Sequence, residues 1–200
     1  MIKEAKDWCA VIMIGGKSTR LGGGIKSFKI FNKKTVFERI FSRLKIQINK
    51  IIINCNEDTT KLSKYNIPII KDYVKGYQGP LAGIHASMKW LNKNDPGVKW
   101  LITIPGDTPF IPKDLIVRLK KRALEKNNIV IVESNNKIHP IIGAWNVNLY
   151  DNLNENLLKK DTRKILSWAN NHSLVFEKFN QIDFDPFFNI NYFEDLEKAK

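Results

Sequence analysis

A glycine-rich, basic loop directly follows the first strongly apolar segment of the chain. Residues 9–14 form a short apolar run with β-branched members, which is typical of a buried strand in a parallel sheet. The loop behind this run combines glycines, which let backbone N–H groups surround an anion, with the cations of Lys17, Arg20 and Lys26. Because open α/β sheets bind ligands at the carboxyl ends of their strands, the loop is predicted to bind a polyphosphate.

The loop matches neither of two well-known phosphate-binding motifs. A Walker A loop has Lys directly after its last glycine, whereas Ile25 separates Gly24 from Lys26 here. A dinucleotide-binding fingerprint needs a third glycine where Ser27 stands. An exposed flexible loop is the alternative interpretation of this composition by itself. Its position after a strand favours phosphate binding.

A single carboxylate follows the apolar run at residues 100–104. Asp107 lies in the sequence Pro-Gly-Asp-Thr-Pro at the predicted edge of the same cleft. Mg²⁺ is usually held by one or two carboxylates together with substrate phosphates, so Asp107 is a candidate ligand for the metal of a nucleoside triphosphate. The alternative is an ordinary turn residue that caps the next helix.

Polar groups also follow the other early strands. Asn54 and Asn56 come at the end of the second predicted strand, and Asp72 follows the third. Residues 79–83 open a predicted helix, whose free N–H groups would point toward the same edge of the sheet. Each of these is by itself an ordinary cap or turn residue. Together they place polar groups at consecutive strand ends.

Short apolar segments alternate with amphipathic segments along the chain. The apolar runs predict strands at residues 9–14, 51–54, 67–70, 100–104, 129–132 and 139–146, and an extended segment at 174–179. Helices are predicted to begin near Thr35, Pro80 and Pro112 and to cover residues 149–158, 163–169 and 193–199. The alternation predicts an α/β fold with three layers and a mostly parallel central sheet.

Length and composition indicate one globular domain. The chain has 200 residues, of which 43% are hydrophobic, and it contains no long apolar run and no targeting signal. Without a linker in the sequence, we expect a single domain over residues 1–200, with the nucleotide-binding half at 1–110 and the other side of the cleft at 111–200. Cys9 and Cys55 lie in apolar segments without metal-ligand spacing, which favours core packing and a reducing cytoplasm.

The formal net charge of +13 does not by itself indicate a nucleic-acid partner. The lysines are spread over the whole chain, and no RNA-binding or zinc-finger motif accompanies them. Attraction of small polyanions accounts for the charge equally well. We therefore expect binding neither to nucleic acid nor to a membrane.

The motifs resemble, in the same order, those of the molybdenum cofactor guanylyltransferase family within the nucleotidyltransferase superfamily. The resemblance extends from about Ala10 to Leu196. It is carried by GGKSTRLGGGIKSF, the Asn that ends IIIN, the KD before GYQGPLAG, IPGDTPFIP, HPIIGAW and the late NIN. It implies a Rossmann-like nucleotidyltransferase fold and an enzyme that transfers GMP from GTP to molybdopterin, with release of diphosphate. It also implies transient contacts with proteins that deliver molybdopterin or mature molybdoenzymes.

The resemblance also implies roles for particular residues. Lys26 and Asp107 would be catalytic, Asp107 would hold Mg²⁺, and His139, Asn189 and Asn191 would lie on the acceptor side. The residues implied to bind GTP are Met13, Ile14, Gly15, Gly16, Lys26, Asn54, Asp72 and Asp107. The alternatives are a related enzyme that uses CTP on molybdopterin or a nucleoside triphosphate on a sugar or alditol phosphate, and a non-catalytic nucleotide-binding protein.

Overall fold

Seven strands of the computed structural model form one sheet, and two short strands form a separate antiparallel pair. The structure describes residues 6–15, 26–31, 33–74, 79–125, 127–159, 162–180 and 184–190. The strands are β1 (Trp8–Ile14), β2 (Ile30–Phe31), β3 (Lys34–Thr35), β4 (Ile51–Cys55), β5 (Ile69–Ile70), β6 (Trp100–Pro105), β7 (Ile129–Ser134), β8 (Lys137–Asn146) and β9 (Leu174–Phe179). The helices are α1 (Val36–Lys45), α2 (Pro80–Asn94), α3 (Leu115–Ala123), α4 (Tyr150–Lys159) and α5 (Ile165–Ala169), with 3₁₀ turns at Lys26–Phe28, Thr60–Tyr65 and Val147–Leu149.

The central sheet is mostly parallel, as predicted. Its strand order is β5-β4-β1-β6-β8-β7-β9. The pairs among β5, β4, β1 and β6 are parallel, as is β7 with β9, whereas β8 runs antiparallel to both β6 and β7. Asn135 and Asn136 join β7 to β8 with φ angles of 48° and 62°, values that suit a tight hairpin turn. The hairpin reverses β8 within an otherwise parallel sheet.

Helices cover both faces of the sheet, which confirms the predicted three layers. Along β1, Trp8, Ala10, Ile12 and Ile14 belong to one buried cluster with the apolar residues of α1 and α3. Cys9 and Val11 belong to a second cluster with α2, α4 and α5. This alternation places β1 at the centre of the molecule, because successive side chains of a strand point to opposite faces.

The predicted starts of the first two helices are confirmed by their capping residues. Thr35 Oγ1 accepts a hydrogen bond from Glu38 N at 3.1 Å, and Glu38 Oε2 accepts one from Thr35 N at 2.8 Å, so α1 begins with a complete capping box. Helix α2 begins at Pro80, where proline loses no helical hydrogen bond.

The predicted start of the third helix at Pro112 was wrong, because α3 begins at Leu115. The side chain of Gln47, beyond the end of α1, accounts for the difference. Its Nε2 donates to Pro112 O at 3.0 Å, and its Oε1 accepts from Ile116 N at 3.1 Å. Gln47 therefore binds one of the free N–H groups in the first turn of α3 and also holds the turn that precedes the helix.

The predicted extended segment at 174–179 matches β9, and the other predicted elements agree with the observed bounds to within a few residues. The predicted helix at 193–199 lies outside the described residues. Among the residues that the structure describes, no helix has both the length and the apolar character needed to cross a membrane.

Candidate active site

A cleft of about 650 Å³ opens at the carboxyl ends of β1, β4, β5 and β6. These strands are parallel neighbours, so the segments that follow them meet at one edge of the sheet. The sequence-predicted site residues that line the cleft are Met13, Ile14, Gly15, Asn54, Asp72, Asp107 and Asn189. The structure therefore brings together residues from five separate parts of the chain.

Four predicted site residues do not contribute a described side chain to the cleft. Gly16 and Asn191 lie outside the described residues. Lys26 begins the 3₁₀ turn after the glycine loop, and its side chain is outside the described part of the structure. His139 is buried, with 7% of its surface exposed, and does not line the cleft.

Asp72 is held at the cleft by two asparagine side chains. Asn54 Nδ2 donates to its Oδ1 at 2.9 Å, and Asn56 Nδ2 donates to its Oδ2 at 2.8 Å. Asn56 Oδ1 also accepts from the backbone N of Asp72 at 2.8 Å. Each carboxylate oxygen has a further lone pair, so the fixed carboxylate can still accept hydrogen bonds from ligand N–H or O–H groups.

Asn54 is itself fixed between β1, β5 and α2. It pairs with Met13 in the parallel ladder, and its Nδ2 also approaches Ile70 O at 3.3 Å. A Cβ atom at Gly83 of α2 would stand only 2.5 Å from Asn54 Oδ1 and 2.6 Å from Met13 Cε. Gly83, the second glycine of the GPLAG motif, thus lets α2 approach the end of β4 closely.

The N-terminus of α2 faces the same cleft, because Gly79, Pro80 and Gly83 belong to the cleft lining. Gly79 adopts a φ of 69°, a left-handed conformation that favours glycine. No side chain of the described residues caps this helix. Its first N–H groups and the positive end of its dipole are therefore suited to a negatively charged or polar ligand.

The loop after β6 is fastened to β1. Gly106 N donates to Met13 O at 2.8 Å, and Ser27 Oγ donates to Gly106 O at 2.7 Å. A Cβ atom at Gly106 would approach Ser27 Oγ to 2.5 Å. Asp107, the next residue, is thereby placed beside the end of β1 and the residues that follow the glycine loop.

Asp107 offers one carboxylate to the cleft as a possible metal ligand. Among the described residues, no group of three or more His, Cys, Asp or Glu side chains could hold a metal ion. A divalent cation at Asp107 would therefore need phosphate oxygens and water as its other ligands. This is the usual donor set of Mg²⁺ in nucleotide sites.

His139 binds residues of the later part of the chain. Its Nε2 lies 2.7 Å from Ser134 Oγ and 3.6 Å from Asp185 Oδ2. Burial lowers the pKa of His139, although the negative charge of Asp185 opposes this shift. The imidazole packs beside Phe187 with 5.3 Å between the ring centroids.

Several polar residues of this region were not predicted from the sequence as site residues. Ser27 and Glu57 line the cleft, and Ser134 and Asp185 surround His139. Ser27 directly follows Lys26, so proximity to the loop was an available signal. Ser134 and Asp185 are hydrogen-bonded to each other but are 51 residues apart in the chain, and no local pattern indicated that contact.

Comparisons with known proteins show which family this chain resembles along most of its length. A family model described as the MobA-like NTP transferase domain matches residues 10–174. A protein of Nitrobacter hamburgensis named molybdenum cofactor guanylyltransferase is 38% identical over 95% of this chain and 91% of its own length. A protein of the same name from Rhodopseudomonas palustris is 32% identical over 96% of this chain and 90% of its own length.

A solved structure shares the fold. The molybdopterin-guanine dinucleotide biosynthesis protein A of Archaeoglobus fulgidus superposes with a TM-score of 0.74 at 24% identity. The alignment covers 96% of both chains.

Proposed function

The chain belongs to the MobA-like NTP transferase family and, within it, to the molybdenum cofactor guanylyltransferases, and from this we propose that it transfers GMP from GTP to molybdopterin. It is a nucleotidyltransferase of the α/β class. The observation that carries the proposal is the single cleft in which Asn54, Asp72 and Asp107 meet the end of β1 and the N-terminus of α2. The products would be the guanine dinucleotide form of the cofactor and diphosphate.

The nucleotide occupies the side of the cleft formed by β1, β4 and β5. Met13, Ile14 and Gly15, together with Gly16 and Lys26, bind the triphosphate through backbone N–H groups and one cation. Asn54 and Asp72 bind the nucleoside, because a carboxylate fixed by two amides accepts hydrogen bonds without reorganisation. The fixed acceptors favour a base with adjacent N–H donors, such as guanine.

Mg²⁺ would be held by Asp107 together with phosphate oxygens and water. When bound, it supplies charge neutralisation and polarisation of the phosphoryl group. The backbone around Asp107 is fixed by Gly106 N on Met13 O and by Ile190 N on Asp107 O, at 2.8 and 2.9 Å. The backbone that carries the carboxylate is therefore fixed before the substrates bind.

The reaction needs no nucleophile from the protein. The terminal phosphate of molybdopterin is already an anion, and its oxygen attacks the α-phosphorus of GTP in line. The bond between the α-phosphorus and the bridging oxygen breaks, and diphosphate leaves with the electron pair. The residues of the cleft contribute position and electrostatic stabilisation, which are the main means of catalysis in phosphoryl-group transfer.

Asn189 lines the cleft and is the described residue that we place on the acceptor side. We assign Asn189 and Asn191 to molybdopterin, and we reassign His139 from contact with the acceptor to support of the site. Its buried position and its bonds to Ser134 and Asp185 favour that supporting role.

The cellular setting belongs to the same proposal. Cys9 and Cys55 are free and buried, which suits a reducing compartment such as the cytoplasm. Molybdopterin would be received from, and the dinucleotide passed to, other proteins through transient contacts. Nucleic acid and membrane are not part of this assignment.

The test is direct synthesis of the dinucleotide. Purified protein is incubated with Mg²⁺, molybdenum-loaded molybdopterin and GTP, CTP or UTP in separate reactions, and the products are identified by mass spectrometry. We expect a guanine dinucleotide and an equal amount of diphosphate from GTP only. Samples without acceptor control for hydrolysis.

Thermal stability provides an independent measure of base selectivity. A ligand at a hundred times its Kd stabilises the native state by about 2.7 kcal/mol, so GTP with Mg²⁺ should raise the Tm far more than CTP does. An equal rise of the Tm with CTP would contradict selectivity for GTP and would favour assignment as a cytidylyltransferase. Binding of GTP without release of diphosphate would instead indicate a non-catalytic nucleotide-binding protein.

A further inference from the structure

Residues 184–190 form one wall of the cleft through a single exposed side chain. Phe187 and Ile190 are buried in the core, with 0% and 2% of their surfaces exposed. Asn189 lies between them, is exposed and lines the cleft. The position of Asn189 therefore depends on how the segment is fastened on either side of it.

On one side, the segment is held by a partly buried hydrogen-bond network around Asp185. Ser134 Oγ lies 2.8 Å from Asp185 Oδ1 and 2.7 Å from His139 Nε2. The hydroxyl carries one hydrogen, and an ionised carboxylate can only accept. Ser134 therefore donates to Asp185 and accepts from His139, which places the imidazole hydrogen on Nε2.

This arrangement cannot act as a nucleophilic triad. A general base would have to take the proton of Ser134 through His139 Nε2, but that nitrogen already carries a hydrogen. Ser134 is also buried, with 1% of its surface exposed. The three residues are therefore suited to hold neighbouring segments in place and not to act as a nucleophile with its general base.

Asp185 also forms hydrogen bonds within the segment itself. Its Oδ1 also accepts from Phe187 N at 2.9 Å, and its carbonyl accepts from Phe188 N at 3.0 Å. Phe187 then packs edge-on against Phe179 at the end of β9, with 5.0 Å between the ring centroids. The hairpin of β7 and β8 is thus connected through Asp185 to the residues just before Asn189.

On the other side, the segment is fastened to the loop after β6. Ile190 N donates to Asp107 O at 2.9 Å, and Thr108 Oγ1 donates to Asn189 Oδ1 at 3.1 Å. Because Thr108 binds the oxygen of the side-chain amide, Nδ2 is the group that Asn189 offers to a ligand. An amide donor suits a phosphate or carbonyl oxygen.

We propose that Ser134, His139 and Asp185 are positioning residues that fix Asn189 for the acceptor substrate. The inference rests on the proposed function for the identity of that substrate, a phosphorylated heterocycle, but its structural part does not depend on it. Loss of the network leaves Asn189 fastened on one side only. A displacement of about 1 Å can cost roughly 10²-fold in rate when it misaligns reacting groups.

The test compares two substitutions of Asp185 that differ in their ability to accept hydrogen bonds. Asp185→Asn keeps an oxygen for Ser134 and Phe187 N, whereas Asp185→Leu keeps the branching at Cγ and accepts nothing. We expect Asp185→Leu and Ser134→Ala to raise the acceptor KM by roughly tenfold or more. GTP affinity, measured without acceptor, should stay within about twofold, and Asp185→Asn should recover most of the acceptor affinity.

Asn152→Ala is the matched control for lost stability. Asn152 Oδ1 accepts from Trp168 Nε1 at 2.9 Å and lies 3.1 Å from His172 Nε2, in the helical layer on the α4 and α5 side. This variant removes a comparable polar network away from the cleft. Its Tm should fall while its acceptor KM remains unchanged.

Hydrogen exchange at the amides of Phe187 and Ile190 provides a readout that needs no acceptor. Asp185→Leu should accelerate exchange there and leave β1 protected, whether or not the protein makes the dinucleotide. Absence of dinucleotide from the wild-type protein would overturn the proposed function alone. Unchanged exchange in Asp185→Leu, or an unchanged acceptor KM in an active protein, would overturn the positioning role.

Discussion

Asp72 and Asp107 both follow strands of the sheet, but their surroundings suit them to different tasks. Two side-chain amides fix both oxygens of Asp72, which suits this carboxylate to accept hydrogen bonds from a ligand. Asp107 follows a glycine that is hydrogen-bonded to β1, and its proposed task is to hold a metal ion together with phosphate oxygens and water. Residue type alone did not distinguish the two roles.

The metal role of Asp107 is tested by Asp107→Asn. Asparagine keeps the shape and turn-forming ability of aspartate but loses the anionic ligand, so the Tm should change little. Diphosphate release should fall by roughly 10²-fold or more, because one charge at the transition state is lost. The measurement is turnover against Mg²⁺ concentration together with the Tm.

Asp114→Asn is the control for this experiment, since it makes the same change at an exposed residue before α3. It should leave turnover unaltered. Full activity of Asp107→Asn at ordinary Mg²⁺ concentrations would show that Asp107 is an ordinary turn residue and not a metal ligand.

At the scale of elements, the approach of α2 to β4 should govern nucleotide binding. Alanine at an interior helix position normally gains about 0.5–1 kcal/mol over glycine. In Gly83→Ala, however, the new methyl group would stand 2.5 Å from Asn54 Oδ1, and Asn54 is held by its hydrogen bonds to β5 and Asp72. We expect a net destabilisation of about 1–3 kcal/mol and a loss of GTP affinity, measured by urea unfolding and by equilibrium binding.

Gly97→Ala is the matched control, because its Cβ would have no atom closer than 3.9 Å. It should leave GTP affinity at the wild-type value. Wild-type stability and affinity in Gly83→Ala would show that Asn54 moves freely and that α2 does not constrain it.

The capping box of α1 gives a prediction about pH. The hydrogen bond from Thr35 N, opposed by partial burial and aided by Lys64 and Tyr65, lowers the pKa of Glu38 from 4.5 to about 2. A depressed pKa in the folded state stabilises the protein above the unfolded value, and this contribution is lost as pH falls from about 4.5 toward 2. Glu38→Gln should therefore lower the free energy of unfolding by about 1 kcal/mol at pH 7.

The difference between wild type and Glu38→Gln should shrink as the pH is lowered through this window. Urea unfolding at several pH values measures it. Glu155→Gln, at an exposed position of α4, serves as the control and should show no such trend. A constant difference at every pH would mean that the charge of Glu38 does not stabilise α1.

At the scale of the whole molecule, the packing of both layers on β1 favours a single cooperative unit. Cys9 belongs to the cluster on one face of the sheet and Cys55 to the cluster on the other. Burial raises the pKa of the Cys9 thiol to about 12, and it also raises that of Cys55. Both thiols should therefore resist alkylation in the native protein, since the thiolate is the reactive form.

The single domain over residues 1–200 remains a prediction, which coincident unfolding transitions would support. Both cysteines lie in the first half, whereas β7 and β8 lie in the later half. Thiol labelling and amide hydrogen exchange in β7 and β8, both followed against urea concentration, should give the same midpoint. A lower midpoint for β7 and β8 would separate residues 111–200 as a unit of their own.

Local sequence patterns determined most elements and the edge of the sheet where the site forms. Apolar runs and helical spacing fix strands and helices because these depend on neighbouring residues. Once the early strands are parallel, Asn54, Asp72 and Asp107 must come to one edge, since parallel strands end together. The order of motifs added the family and its reaction.

Only the tertiary structure decided how these residues are held. The start of α3 depends on Gln47, and the bond from Ser27 to Gly106 spans 79 residues. His139 matched a motif, yet it is buried and lies close to Asp185 in a distant segment of the chain. Hydrogen bonds between distant segments depend on which surfaces meet after folding, and no local pattern in the chain records those partners.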